Sequence, residues 1–106
     1  MKRLFISQPM RGKTTNEILA VRFRAIEEAE RIIGEQVDPI ESFFSDEPVN
    51  AKPLWYLGKS LQLMADADVV YFARGWEYAR GCKIEHQAAV EYCIDRIEYL
   101  REDACP

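Results

Sequence analysis

The chain has 106 residues, one domain's worth, and folding at that length buries roughly two thirds of the extended surface. Hydrophobic residues make up 48% and charged residues 30%, the balance of an ordinary globular protein. The formal charge of −4 excludes a nucleic-acid polymer as the expected partner, since polyanion binding needs a clustered basic face, but it leaves room for a small anion held by one basic loop.

In chain order, Leu4-Phe5-Ile6 reads as a short buried strand. It stops at Ser7-Gln8-Pro9-Met10-Arg11-Gly12, where proline and glycine interrupt regular structure. Thr14 followed three residues later by Glu17 forms a capping box at the start of a first helix. Ile18, Val21, Ala25, Ile26, Ala29, Ile32 and Ile33 recur there at helical spacing. Arg22, Glu27, Glu28 and Glu30 fall largely on the opposite face, and Gly34 ends the helix. A brief strand is expected around Gln36–Val37, followed by Asp38-Pro39-Ile40 and a loop from Glu41 to Lys52.

Pro53 can open a second helix running to about Ala65, with Trp55, Leu57, Leu61 and Met64 as its apolar positions. Asp68-Val69-Val70-Tyr71-Phe72-Ala73 is the clearest strand, and its unbroken apolar run suits a central parallel position. A loop from Arg74 to Arg80 leads to a third helix from near Gly81 to about Tyr92. Arg96-Ile97-Glu98-Tyr99-Leu100 alternates as a final strand would, though it can also be read as continuing the helix.

This alternation of strands and helices predicts an α/β, Rossmann-like (flavodoxin-like) parallel sheet of about four to five strands, with helices on both faces. Ligands of such sheets bind beyond the carboxyl ends of the strands. That rule places Ser7–Gly12, Asp38–Asp46 and Arg74–Gly81 at the ligand edge, and Asp66 and Asp68 at the opposite one. Cys82, Cys93 and Cys105 cannot all pair within one chain and show no C-x-x-C spacing, so reduced thiols in the cytoplasm are expected. With His86 as the single histidine, a metal site is not expected. The basic start at Lys2-Arg3 turns polar at Ser7, too soon for a signal peptide, and no apolar run is long enough for a bilayer. Dimerisation would be a natural way for so small a chain to bury more apolar surface.

Several residues at the ligand edge invite chemistry. Free backbone N–H groups at the start of the first helix, with Arg11 and Lys13, can form an anion pocket, although an ordinary turn with surface basic residues has the same sequence. Glu85 falls in the expected first turn of the third helix, where the dipole favours an ionised carboxylate by a few tenths of a kcal/mol, up to roughly 2 when partly buried. Facing a pocket, such a carboxylate can attack a sugar carbon; facing solvent, it is a favourable surface residue. His86 points about a quarter-turn away, and a structural or interface role is its expected one. Trp76 and Tyr78 can stack on a base or simply cap a core.

Phe5-Ile6-Ser7-Gln8-Pro9-Met10-Arg11-Gly12, then Ala67-Asp68-Val69-Val70, then Gly75-Trp76-Glu77-Tyr78-Ala79-Arg80-Gly81-Cys82-Lys83-Ile84-Glu85-His86 together resemble, in order, the nucleoside 2-deoxyribosyltransferase-like superfamily. The likeness is to a small bacterial and phage branch related to the 2'-deoxynucleoside 5'-monophosphate N-hydrolases. The resemblance implies a substrate with an N-glycosidic bond, a deoxynucleoside or its 5'-monophosphate, cleaved or exchanged without a cofactor. It implies Glu85 as nucleophile and the loop Ser7, Gln8, Pro9, Met10, Arg11 and Gly12 around the sugar and any phosphate; Asp38, Gly75, Trp76 and Gly81, placed at the same edge by the sheet rule, are expected to complete the substrate site. It also implies a homodimer or larger assembly in which a neighbouring subunit completes the site.

Three positions depart from that pattern. Ser60 stands where the family has an aspartate that positions the sugar or protonates the leaving base, Phe5 where it has a tyrosine, and Gln8 where glycine is common. A positioned general acid contributes ~10²–10⁴ in rate, so the loss at Ser60 is large unless Glu41, Asp46 or another subunit replaces it. A non-catalytic nucleotide binder is therefore the alternative expectation.

Overall fold

The computed structural model describes residues 1–42 and 50–99. The elements in order are β1 (Lys2–Ser7), α1 (Thr15–Ile33), β2 (Val37–Pro39), α2 (Pro53–Met64), β3 (Val69–Phe72), a 3-10 turn (Trp76–Tyr78), α3 (Arg80–Glu91) and β4 (Asp95–Glu98). The four strands form one sheet in the order β2-β1-β3-β4, and every pair is parallel. The expected α/β class with a Rossmann-like parallel sheet is what the chain adopts.

Side-chain alternation along β1 and β3 divides the core into two layers. Leu4, Ile6, Val69, Tyr71 and Ala73 pack with Ala25 and Ala29 of α1 on one face. Phe5, Val70 and Phe72 pack on the other with Ile40, Met64 at the end of α2 and Ala89 of α3. So α1 covers one face, while α2 and α3 cover the other. The chain moves from β1 outward to β2, then crosses back over β1 to β3. The sheet's switch point therefore lies between the carboxyl ends of β1 and β3, where an open α/β sheet forms its ligand crevice.

Local chemistry explains the element ends. The Thr14 hydroxyl accepts the backbone N–H of Glu17, and the Glu17 carboxylate accepts that of Thr14, completing the capping box. This bonding to Thr14 holds the Glu17 carboxyl below its ordinary pKa. Gly34 closes α1 in a left-handed conformation with φ of 85°, which costs glycine little. Pro53 sits at the start of α2 as expected, and β4 is a strand rather than a prolongation of α3. Leu100, expected to end that strand, lies outside the described residues.

Three expectations need correction. β2 is Val37–Pro39 and so takes in Asp38 and Pro39; proline is tolerated there because β2 is an edge strand, whose outer N–H groups have no partner strand. Asp38 consequently leaves the ligand edge. It lies opposite Arg3 in the β1–β2 register, four residues and so ~13 Å of strand before Ser7. Its carboxylate lies 3.9 Å from Arg3 Nε, and Asp66 lies 3.9 Å from Arg3 Nη1. Asp68 accepts the Arg3 backbone N–H at 2.8 Å, so Asp66 and Asp68 do belong to the opposite edge. Third, the buried stripe of α1 is Ile18, Arg22, Ala25 and Ala29. Arg22 is inside, whereas Ile32 is largely exposed.

Candidate active site

Two loops meet at the switch point. Gly75, just after β3, has φ of 87°, and a Cβ added to it would stand 3.5 Å from Pro9 Cγ, just after β1. A side chain is disfavoured there by the positive φ, the 3.5 Å to Pro9 being ordinary van der Waals contact. The amide of Ala73 donates to the Ser7 carbonyl at 2.9 Å, extending the β1–β3 ladder to its last residues. Ser7 thus has a rigid backbone, and its side chain projects to the face covered by α2 and α3.

There it meets Glu85. The Ser7 hydroxyl donates to Glu85 Oε1 at 2.6 Å, and both side chains are buried. Ser60 of α2, half-buried, lowers the pKa of the same carboxyl. The Cys82 thiol, one turn earlier on α3, is also buried, and its pKa responds to both Ser7 and Glu85. Ser7, Cys82 and Glu85 are buried together where β1 meets α3, with the half-buried Ser60 of α2 bearing on the Glu85 carboxyl.

The electrostatics follow from burial. Glu85 stands in the second turn of α3, since the helix begins at Arg80 and its first turn holds no acidic residue. The expected help from the helix dipole is correspondingly weaker, because that effect fades beyond the first turn. Desolvation is the largest influence and raises the Glu85 pKa, while Ser7 and Ser60 pull it back down. Burial also pushes the Cys82 thiol up to about 12, so at neutral pH Cys82 is a neutral thiol and not a thiolate nucleophile.

The remaining expected site residues divide. Pro9 and Met10 are half-buried, whereas Arg11, Gly12 and Lys13 are exposed around a turn closed by the Lys13 amide on the Met10 carbonyl at 3.0 Å. Gly81 lies in the first turn of α3. Gln8 is turned away from Glu85: its Nε2 donates to the Ile18 carbonyl of α1 at 3.1 Å, and its buried Oε1 has no hydrogen-bond partner among the described residues. Its side chain ties the loop to α1, across the sheet from Glu85.

Trp76 is half-buried, with its indole stacked on the His86 imidazole at 4.3 Å between centroids and 22° between planes. Phe72 closes on Trp76 at 5.4 Å. His86 in turn bonds through Nε2 to the Glu98 carboxylate of β4. Trp76 therefore caps the core on one side, and His86 has the structural role expected of it. Tyr78 is exposed.

Arg22 was not anticipated. Its guanidinium donates from Nη1 to Ser42 Oγ at 2.8 Å and from Nη2 to the Ile40 carbonyl at 3.1 Å, at the carboxyl end of β2. Burial lowers its pKa, and the Glu41 charge partly restores it. The signal was present in the sequence, since position 22 lies one turn from both Ile18 and Ala25. Of the two acids considered as substitutes for the missing aspartate, Glu41 is exposed, and Asp46 lies outside the described residues.

A separate open cavity of about 500 Å³ is lined by Val90, Cys93, Ile94, Asp95, Arg96 and Glu98, where α3 leads into β4. It includes no member of the Ser7–Glu85 cluster, and convergent polar groups are a better guide to chemistry than open volume. Among the described residues, no helix is long and apolar enough to cross a membrane, and no group of three His, Cys, Asp or Glu side chains could hold a metal ion. No family model, curated protein or solved structure matches the chain.

Proposed function

We propose that the chain binds a deoxynucleoside or deoxynucleoside 5'-monophosphate at the carboxyl edge of the sheet and breaks its N-glycosidic bond through Glu85. The observation that supports this reading best is the 2.6 Å hydrogen bond joining Ser7, at the end of β1, to the buried Glu85 carboxylate. It brings the loop suited to sugar and phosphate together with the residue suited to attack. In the reaction, a Glu85 oxygen would bond to the anomeric carbon as the bond to the base breaks. The base would leave with that electron pair and take a proton from solvent. Water, or a second base, would then displace Glu85 from the sugar.

Incubation with each common deoxynucleoside and its 5'-monophosphate, followed by chromatography for free base, tests this. Base release is expected from at least one of them, with a loss of at least about a thousandfold in Glu85→Ala. Release at the same rate in that variant would sink the reading. A homo-oligomer in the cytoplasm belongs to the same proposal, and sedimentation of the purified protein checks the first part.

One observation favours a second reading, a non-catalytic nucleotide binder. Among the described residues, the side chains that bear on Glu85 are two hydroxyls and a neutral thiol, none of which can protonate a departing base near neutral pH. A nucleotide that raises the melting temperature and is recovered intact after prolonged incubation would favour the binder.

A further inference from the structure

The sequence puts Ser7 among the residues around the substrate; the structure gives its hydroxyl another partner. A serine hydroxyl carries a single proton, and that of Ser7 goes to Glu85 Oε1 at 2.6 Å. The distance falls in the range of a hydroxyl bonded to an ionised carboxylate, about 2.5–2.7 Å. Only 1% of Ser7 is exposed, which leaves little of it for a ligand to touch.

Its placement suits a fixed point. Ser7 is the last residue of β1, in register with Phe72 of β3, and its carbonyl accepts the Ala73 amide. With the backbone held, one side-chain torsion sets where the hydroxyl oxygen stands. The Glu85 side chain has more torsions, the last of them broad. A donor fixed on the sheet therefore orients a carboxylate that its own helix leaves free to turn.

We infer that Ser7 is a positioning residue: its hydroxyl holds the Glu85 carboxylate in place and does not contact the ligand, which the rest of the Ser7–Gly12 loop receives. The catalytic part of this inference rests on the function proposed above; the Ser7–Glu85 pairing does not. Among the described residues, the other side chains bearing on Glu85 are Ser60 of α2 and Cys82 of α3, the latter kept neutral by burial. Neither carries a charge that makes up for a lost donor.

The test is Ser7→Ala; Ser7→Cys, whose thiol is a weaker donor, takes its place if Ser7→Ala fails to fold. In the ligand-free protein, carbon-13 NMR of labelled glutamate carboxyls follows the ionisation of Glu85, its resonance assigned by loss in Glu85→Gln. Ser7→Ala is expected to move this titration to higher pH, and an unmoved titration overturns the inference. Ligand contact is tested separately in the Glu85→Gln background, where calorimetry measures binding of each common deoxynucleoside 5'-monophosphate. Adding Ser7→Ala there is expected to leave the dissociation constants unchanged within about threefold. A larger weakening makes Ser7 a ligand contact and also overturns the inference. In turnover, Ser7→Ala is expected to lose about ten- to a hundredfold in kcat with KM held, the worth of one hydrogen bond to a charged group. A wild type that turns nothing over counts against the proposed reaction alone, because the NMR titration decides on the Ser7–Glu85 pairing without substrate.

Discussion

At the scale of single residues, the site is a contest between burial and hydrogen bonding at Glu85. Burial raises the pKa and two hydroxyls lower it, with burial the stronger. A carboxyl whose pKa is higher in the folded than in the unfolded chain is favourable to folding while it is protonated in both states. That advantage disappears as pH rises through the folded-state value. The wild type should therefore lose stability relative to Glu85→Gln as pH climbs from below the ordinary carboxylate range to neutrality. Glutamine keeps an oxygen to accept from Ser7, so it preserves that contact without the charge. The expected outcome is a higher melting temperature for Glu85→Gln at neutral pH and near-equality in acid, where each kcal/mol reads as about 4–8 °C in a chain of this size. Melting curves that stay parallel from acid to neutral pH would show that Glu85 is not desolvated. The sequence offered Glu85 through its place early in the third helix, leaving open whether it faces a pocket or solvent, and the structure buries it against Ser7. Its electrostatics were not legible there, because they depend on Ser60 and Ser7, which are distant in the chain and brought together only by packing.

At the scale of elements, sequence patterns succeeded where local and tertiary preferences agree. The capping box at Thr14 and the apolar run ending in Ala73 are signals of that kind. They misled where a tertiary contact overrode them. Asp38 and Pro39 have low strand propensity, yet β2 includes both because an edge strand tolerates them. Gln8 lies beyond the last strand residue, so alternation no longer told which face its amide would choose. Arg22 was assigned to solvent by its charge, although its position on the Ile18–Ala25–Ala29 stripe faces the sheet. Its guanidinium now joins α1 to the end of β2. Arg22→Met would keep the apolar stem but leave the Ile40 carbonyl and Ser42 hydroxyl without these donors. We expect a loss of about 2 kcal/mol, the cost of unpairing buried acceptors being partly offset by removing a buried charge. Urea unfolding measures it, and a midpoint equal to that of the wild type would mean that the clamp contributes nothing to holding β2.

For the molecule as a whole, the order β2-β1-β3-β4 makes β1 and β3 the interior strands and leaves β2 and β4 at the edges. β1 and β3 also carry large, fully buried side chains, including Leu4, Phe5, Val70 and Phe72. The cluster around Glu85 is thus anchored at one end on the most protected backbone in the fold, while Glu98, which holds His86 and through it Trp76, stands on an edge. Local opening follows this division, since edge backbone can exchange without disrupting the core. Hydrogen exchange should accordingly be slowest for the inward-bonded amides of β1 and β3, and faster in β2 and β4. Repeating the measurement over a range of protein concentrations distinguishes an isolated chain from an assembly. If β4 becomes as protected as β1 when the protein is concentrated, a second copy covers that edge. Uniformly fast exchange in β1 would contradict the interior position on which the geometry of Ser7, and with it the site, depends.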